Sequence, residues 1–174
     1  VRNSVFENNR GINGGAIKQL TFHEASDAVA TWSWDSQEIY FVSSRYNRVT
    51  TYTVNIRGGT PKRVVEHYFN DVHNPAVYPE TGELYFNESG ESYSSVNRKR
   101  YKGPFNPEIK SLDLNTKKLT VHTDYEGKDM WTMIDRQGNI FFVSDRGNDE
   151  YNLYQMTDGK PKRLTRFKTS VFDP

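Results

Sequence analysis

The sequence contains no cysteine, which excludes disulfides, thiolate metal sites and a cysteine nucleophile and leaves the redox compartment open. No apolar run approaches the ~20 residues of a membrane helix, so no membrane insertion is expected. There is almost no excess charge. Lys+Arg total 23 against 22 Asp+Glu, a formal net charge of +1, so no bulk field draws nucleic acid or anionic lipid. The first residues, Val1-Arg2-Asn3-Ser4, have neither a starting Met nor the apolar core of a signal peptide, and the chain reads as a processed or excised piece of a longer protein. What is present is aromatic. With 11 Tyr and 10 Phe, aromatics make up 14% of a chain that is only 34% hydrophobic, a balance that favours pleated, half-buried β surfaces.

One segment is written twice. Ile39-Tyr40-Phe41-Val42-Ser43-Ser44-Arg45 runs on to Gly59-Thr60-Pro61-Lys62-Arg63-Val64, and Ile140-Phe141-Phe142-Val143-Ser144-Asp145-Arg146 runs on to Gly159-Lys160-Pro161-Lys162-Arg163-Leu164. Between them Leu84-Tyr85-Phe86-Asn87-Glu88-Ser89 repeats the first half. Such self-similarity marks a stacked or circular array. The first unit predicts strands at 28–34, 38–43, 50–56 and 62–66, with Asp35-Ser36 and Gly58-Gly59 as turns. The second predicts strands from Val72 and over 83–87, 106–114 and 118–123, with an insertion around Gly90–Gly103 between its second and third strands. The third predicts 130–134, 139–144, 151–156 and 162–165.

Four short antiparallel strands per unit is the anatomy of a propeller blade. The fold class is therefore all-β, a partial propeller of about three full blades (24–67, 68–123 and 124–165) within residues 16–174, with flanking fragments. Residues 1–15 are an incomplete blade or linker. Ala16–Thr21 resembles a closing strand, the tail of an earlier unit, and Arg166–Pro174 the opening of a later one. Three blades are fewer than the four to eight that close a ring. The arc either belongs to a longer chain, which is the favoured reading, or pairs with a second copy as a homo-oligomer.

These units resemble TolB-type propeller repeats and, in the order of their peculiarities, the N-terminal propeller of tricorn-type serine peptidases. Asp27-Ala28-Val29-Ala30-Thr31-Trp32-Ser33-Trp34-Asp35 resembles the family's blade opening, and Ser43-Ser44-Arg45, Tyr52-Thr53-Val54 and Gly58-Gly59-Thr60-Pro61 its continuation. Lys99-Arg100-Tyr101-Lys102-Gly103, leading to Glu108-Ile109-Lys110-Ser111-Leu112-Asp113-Leu114, resembles its Lys-x-Tyr-x-Gly insertion. Two departures stand out: Ser36 replaces the Gly of the usual Asp-Gly turn, and Trp34 stands where the family prefers Pro. The resemblance covers residues 16–174. It implies a segment that gates or positions peptide substrates for a serine-peptidase core, with the catalytic residues far beyond this chain. The implied partners are a peptide or polypeptide substrate and the remainder of the parent peptidase. The alternative is a TolB-like protein-binding module of the cell envelope with no linked enzyme. Exported bacterial relatives incline the reading to the periplasm, with the cytoplasm open.

No catalytic, cofactor or metal site is expected within the chain. No Gly-x-Ser-x-Gly occurs, and Gly11-Ile12-Asn13-Gly14-Gly15 lacks the Lys-Ser/Thr of a phosphate loop. His23, His67 and His122 follow fourth strands, so they are spread around an array rather than converging on an ion. Asp27, Asp71 and Asp129 recur where blades open. With His73 and Lys128 they could form a polar rim that steers peptides, although the simpler reading makes them turn caps. The repeated Ser-x-Arg and Pro-Lys-Arg motifs read as clamps between blades or as edge charges. Asn97–Lys102 is the one dense basic stretch and reads as a solvated or partner-contacting loop. Trp32, Trp34 and Trp131, on first strands, read as packing between blades.

Overall fold

The computed structural model describes residues 18–65, 67–90 and 100–170, and among these every regular element is a strand. The first sheet holds β1 (Asp27–Trp32), β2 (Glu38–Ser43), β3 (Thr50–Asn55) and β4 (Lys62–Arg63) in sequential antiparallel order. The second holds β5 (Asp71–Val77), β6 (Leu84–Ser89), β7 (Glu108–Leu112) and β8 (Leu119–Val121). The third holds β9 (Asp129–Ile134), β10 (Ile140–Ser144), β11 (Asn152–Thr157) and β12 (Lys160–Arg163). These are three propeller blades, called first, second and third below.

The second strands are buried on both faces, which explains why Ile39–Ser43 and Ile140–Ser144 read as continuous apolar runs. Alternate side chains of one strand serve two interfaces. Tyr40 and Val65 of the first blade pack with Val72, Val77, Leu84 and Phe86 of the second. Ala76, Tyr85 and Ile109 of the second pack with Ile140, Phe142 and Tyr154 of the third. A backbone bond joins the blades near the start of each later inner strand, Val72 N–H to Val49 O (2.9 Å) and Asp129 N–H to Pro107 O (3.1 Å). Trp34 Nε1 also donates to Val77 O (2.6 Å), and the buried Asn87 Nδ2 donates to Asp129 O (2.9 Å).

Two hairpin turns carry glycines at positive φ, Gly82 (72°) in the β5–β6 turn and Gly138 (81°) in the β9–β10 turn. Ser36 takes the same left-handed conformation in the β1–β2 turn (φ 56°), so the departure in sequence leaves the turn's shape intact. β4 and β8 are shorter than expected, with two and three residues, and β12 keeps the expected length but starts two residues earlier; each lies at the outer edge with a partner on one side only. Residues 18–21 run without strand pairing; Leu20 instead packs on the outer face of the first blade against Ile39, Phe41, Tyr52 and Val54. Gly11–Gly15, Ala16, Ile17, most of the Gly90–Gly103 insertion and the last four residues lie outside the described residues.

Candidate functional site: the concave groove and its rim

The three inner strands β1, β5 and β9 form a concave wall. The groove along it has a volume of about 630 Å³ and runs over residues 29–34, 74–77 and 131–134 of the three blades in turn. All three tryptophans of the chain, Trp32, Trp34 and Trp131, line it. Trp32 and Trp34 remain 50% and 45% exposed, well short of packing wholly between blades. A β-bulge interrupts every inner strand. Register slips between Val29 and Thr31 in β1, between His73 and Ala76 in β5, and between Met130 and Met133 in β9. A bulge reverses the in–out alternation beyond it and increases the local twist. Asn74 (φ 49°) and Trp131 (φ 51°) adopt left-handed backbone at these bulges, an uncommon conformation for a bulky residue such as Trp. Trp34 is further placed by Arg136 of the third blade, whose guanidinium lies 5.2 Å from its ring, and Trp131 meets Tyr151 edge-on (6.2 Å).

At one end of this wall lie Asp27, Asp71 and Asp129, each paired with the serine that closes its neighbouring strand. Their carboxylates are buried and each meets an arginine: Asp27 with Arg45 (2.6 Å), Asp71 with Arg48 (2.9 Å) and Asp129 with Arg146 (2.5 Å). Two of these pairs tie a blade's inner strand to its own second-to-third strand loop, so Ser-x-Arg is a clamp within a blade. Arg48 instead reaches from the first blade to the second. Burial alone would raise Asp27, but hydrogen bonds from Arg45, Thr21 and Ser43 hold it below the usual carboxylate value. At Asp129 burial outweighs Arg146 and the carboxyl is pushed up.

His73 is buried between Asn74 Oδ1 (2.5 Å) and Ser89 Oγ (3.2 Å), and burial lowers its pKa against the pull of Asn74 and Asp71. Lys128 is also buried, and its backbone N–H donates to Asp145 Oδ1 (3.0 Å). The other histidines are separate. His23 Nδ1 accepts the Ala25 amide, and His67 Nδ1 accepts those of Phe69 and Asn70, the same turn cap in two copies. His122 stacks on Tyr85 and faces Ser111 Oγ (2.7 Å). Among the described residues no three acidic or imidazole groups gather as a metal set.

The end of the insertion is docked on the third blade. Lys102 Nζ donates to Tyr125 OH (2.7 Å) and pairs with Asp145 (3.4 Å) and Asp149 (3.5 Å), while Gly103 N–H donates to Glu126 O (2.7 Å). Burial would lower Lys102, but Tyr125 and Asp145 outweigh it and raise its pKa. Beneath it, Glu108 accepts from Thr123 Oγ1 (2.6 Å) and the Tyr125 amide (2.9 Å). Burial, reinforced by Asp129 and Asp124, pushes Glu108 up to about 7. Sequence reasoning missed this carboxylate, since nothing in its spacing marks it; only the fold brings Asp129 and Asp124 to it.

Three blades with an insertion in the second can be compared with known proteins. The family model of the tricorn protease N-terminal β-propeller domain matches residues 9–173. The chain belongs to this family. No curated protein matches it. Among solved structures, TolB from Acinetobacter baumannii is 25% identical with a TM-score of 0.71, over 91% of this chain and 37% of that one. A putative TolB from Agrobacterium tumefaciens is 18% identical with a TM-score of 0.65, over 87% and 53%. A prolyl endopeptidase is 18% identical with a TM-score of 0.55, over 80% and 21%. The tricorn-type arc thus spans between about a fifth and a half of the length of these structures.

Proposed function

We propose that this tricorn-type propeller segment admits and positions extended peptides along its concave groove for a serine-peptidase core elsewhere in the parent protein. The observation that carries this reading is the gathering of every tryptophan of the chain on the groove wall, beside the edges of inner strands. An inner-strand edge offers backbone N–H and C=O groups to an extended chain, and indoles offer apolar faces between them. Pro75 on β5 removes one donor, so the wall holds a peptide without binding it as a continuous strand. Membership of the tricorn propeller family and likeness to a prolyl endopeptidase propeller support the link to peptide hydrolysis. In this reading Asp27, Asp71, His73, Lys128 and Asp129 shape the mouth of the groove and steer peptides through the geometry they hold.

The tryptophans also report occupancy. Titration with an unstructured peptide should give a saturable change in intrinsic fluorescence, weakened several-fold by Trp32→Ala or Trp34→Ala. An emission spectrum indifferent to peptide would remove the proposal. The chain alone should hydrolyse no peptide; turnover that survives purification and is lost on substituting one of its residues would contradict this. If the reading frame beyond Pro174 ends after one propeller, without a PDZ-like segment and peptidase core, the TolB-like binding module replaces the peptidase reading.

A further inference from the structure

The chemistry of the concave groove is narrower than its shape. Its described lining, residues 29–34, 74–77 and 131–134 with Ser36 and Val42, contains no charged side chain. Charges near it are already engaged. Arg136 stands over the Trp34 ring (5.2 Å), and Asp27, Asp71 and Asp129 at one end of the wall each hold an arginine. A lysine or glutamate side chain laid in the groove would give up water and meet no counter-ion. A ligand is therefore uncharged where it touches the wall.

Few hydrogen bonds are on offer there. Trp34 Nε1 is spent on Val77 O (2.6 Å), so this indole presents ring surface rather than its donor. Ser33 Oγ donates to Asp35 Oδ1 (2.6 Å), Asn74 Oδ1 faces His73 Nδ1 (2.5 Å), and Thr132 Oγ1 is buried. The backbone is no better placed to pair. Each inner strand slips register within the stretch that lines the groove, Asn74 and Trp131 are left-handed there, and Pro75 has no N–H. An incoming β-strand finds no regular ladder to extend.

Indole faces without charges suit two ligand chemistries, sugars and proline-rich chains. A sugar ring brings several hydroxyls, and this wall leaves most of them without partners. A polyproline II chain makes no internal hydrogen bonds, and each proline lacks an N–H that would need an acceptor. We propose that the groove selects uncharged, proline-rich segments in the polyproline II conformation, with pyrrolidine rings laid on the half-exposed Trp32 and Trp34. This rests on the groove being a peptide site and names the kind of peptide it takes.

The test uses the whole 174-residue chain and end-blocked peptides, read by tryptophan fluorescence and calorimetry. Gly-Pro-Pro-Leu-Pro-Pro-Gly should bind about tenfold more tightly than Gly-Ala-Ala-Leu-Ala-Ala-Gly. Its Kd should hold within about twofold as salt rises from about 50 to about 300 mM. Exchanging its leucine for glutamate or lysine should weaken it about tenfold. Trp32→Ala should cut the preference for proline over alanine to about twofold, and Trp32→Phe, which keeps a ring, should retain most of it. Trp32 is half exposed, so both variants keep the fold. Equal binding of the proline and alanine peptides overturns the proposal and leaves the groove a general peptide site. Absence of binding by either peptide overturns the proposal and the peptide reading together. A charged peptide that binds as well as the neutral one, or a preference untouched by Trp32→Ala, also overturns it. So does cellohexaose bound as tightly with the same fluorescence change, because the ligand is then a glycan.

Discussion

Single residues in this arc do repeated work, and the aspartate at the opening of each blade shows how. The same residue type sits at the same step of β1, β5 and β9, but its environment differs: hydrogen bonds hold Asp27 down, while deeper burial lifts Asp129. Glu108 is the singular case. Its proton is held to about pH 7 in the fold, against 4.5 ordinarily, so the native state binds more protons than the unfolded chain between those values. Stability therefore falls as pH rises through that window. Allowing for its partial exposure, the loss is roughly 1–2 kcal/mol. Glu108→Gln keeps an acceptor for the Tyr125 amide and removes the titration. Relative to this variant the wild type should lose stability from pH 5 to pH 8 in denaturant melts (pH values spanning roughly the titration window); parallel curves would refute the assignment. His73 and His122, lowered by burial, act with opposite sign below their ordinary value and cancel in the comparison.

At the scale of elements, the strands were readable because turns and alternation bound them. Glu38–Ser43 is observed at its expected limits, and the shifts elsewhere fall at strand ends. The groove was not readable in the same way. Trp32 and Trp34 read as packing residues because alternation alone does not show which strand stays exposed, and the slip after Val29 is visible only in the pairing with β2. The insertion was legible as an interruption of the repeat, but its anchor was not, because Lys102 finds Asp145 across a blade joint. Gly127 tests that anchor. A Cβ there would lie 2.3 Å from Asp145 Oδ1, 2.3 Å from Tyr125 Cε1 and 2.6 Å from Lys102 Nζ. Gly127→Ala should cost about 1–3 kcal/mol in equilibrium unfolding and release Lys102, seen as faster amide exchange at Gly103. Unchanged exchange there would show that the insertion is held by other contacts.

For the whole molecule, stability resides in the joints, since each blade buries its faces against its neighbours. Phe86 is fully buried in the joint of first and second blades, and Phe142 in that of second and third. Phe86→Ala should destabilise by about 3–5 kcal/mol and speed amide exchange in β2 and β3 more than in β10 and β11. Uniform acceleration would mean that the blades unfold as one block.

The loop after each Ser-x-Arg lies outside the hydrogen-bonded ladder, yet in the first blade its Arg48 holds the buried Asp71 of the next blade. The loops of the first and third blades differ in formal charge, acidic at Gly147-Asn148-Asp149 and basic at Tyr46-Asn47-Arg48. Duplicating such a unit copies a connector along with a scaffold, and the connector then serves to fasten one blade to the next.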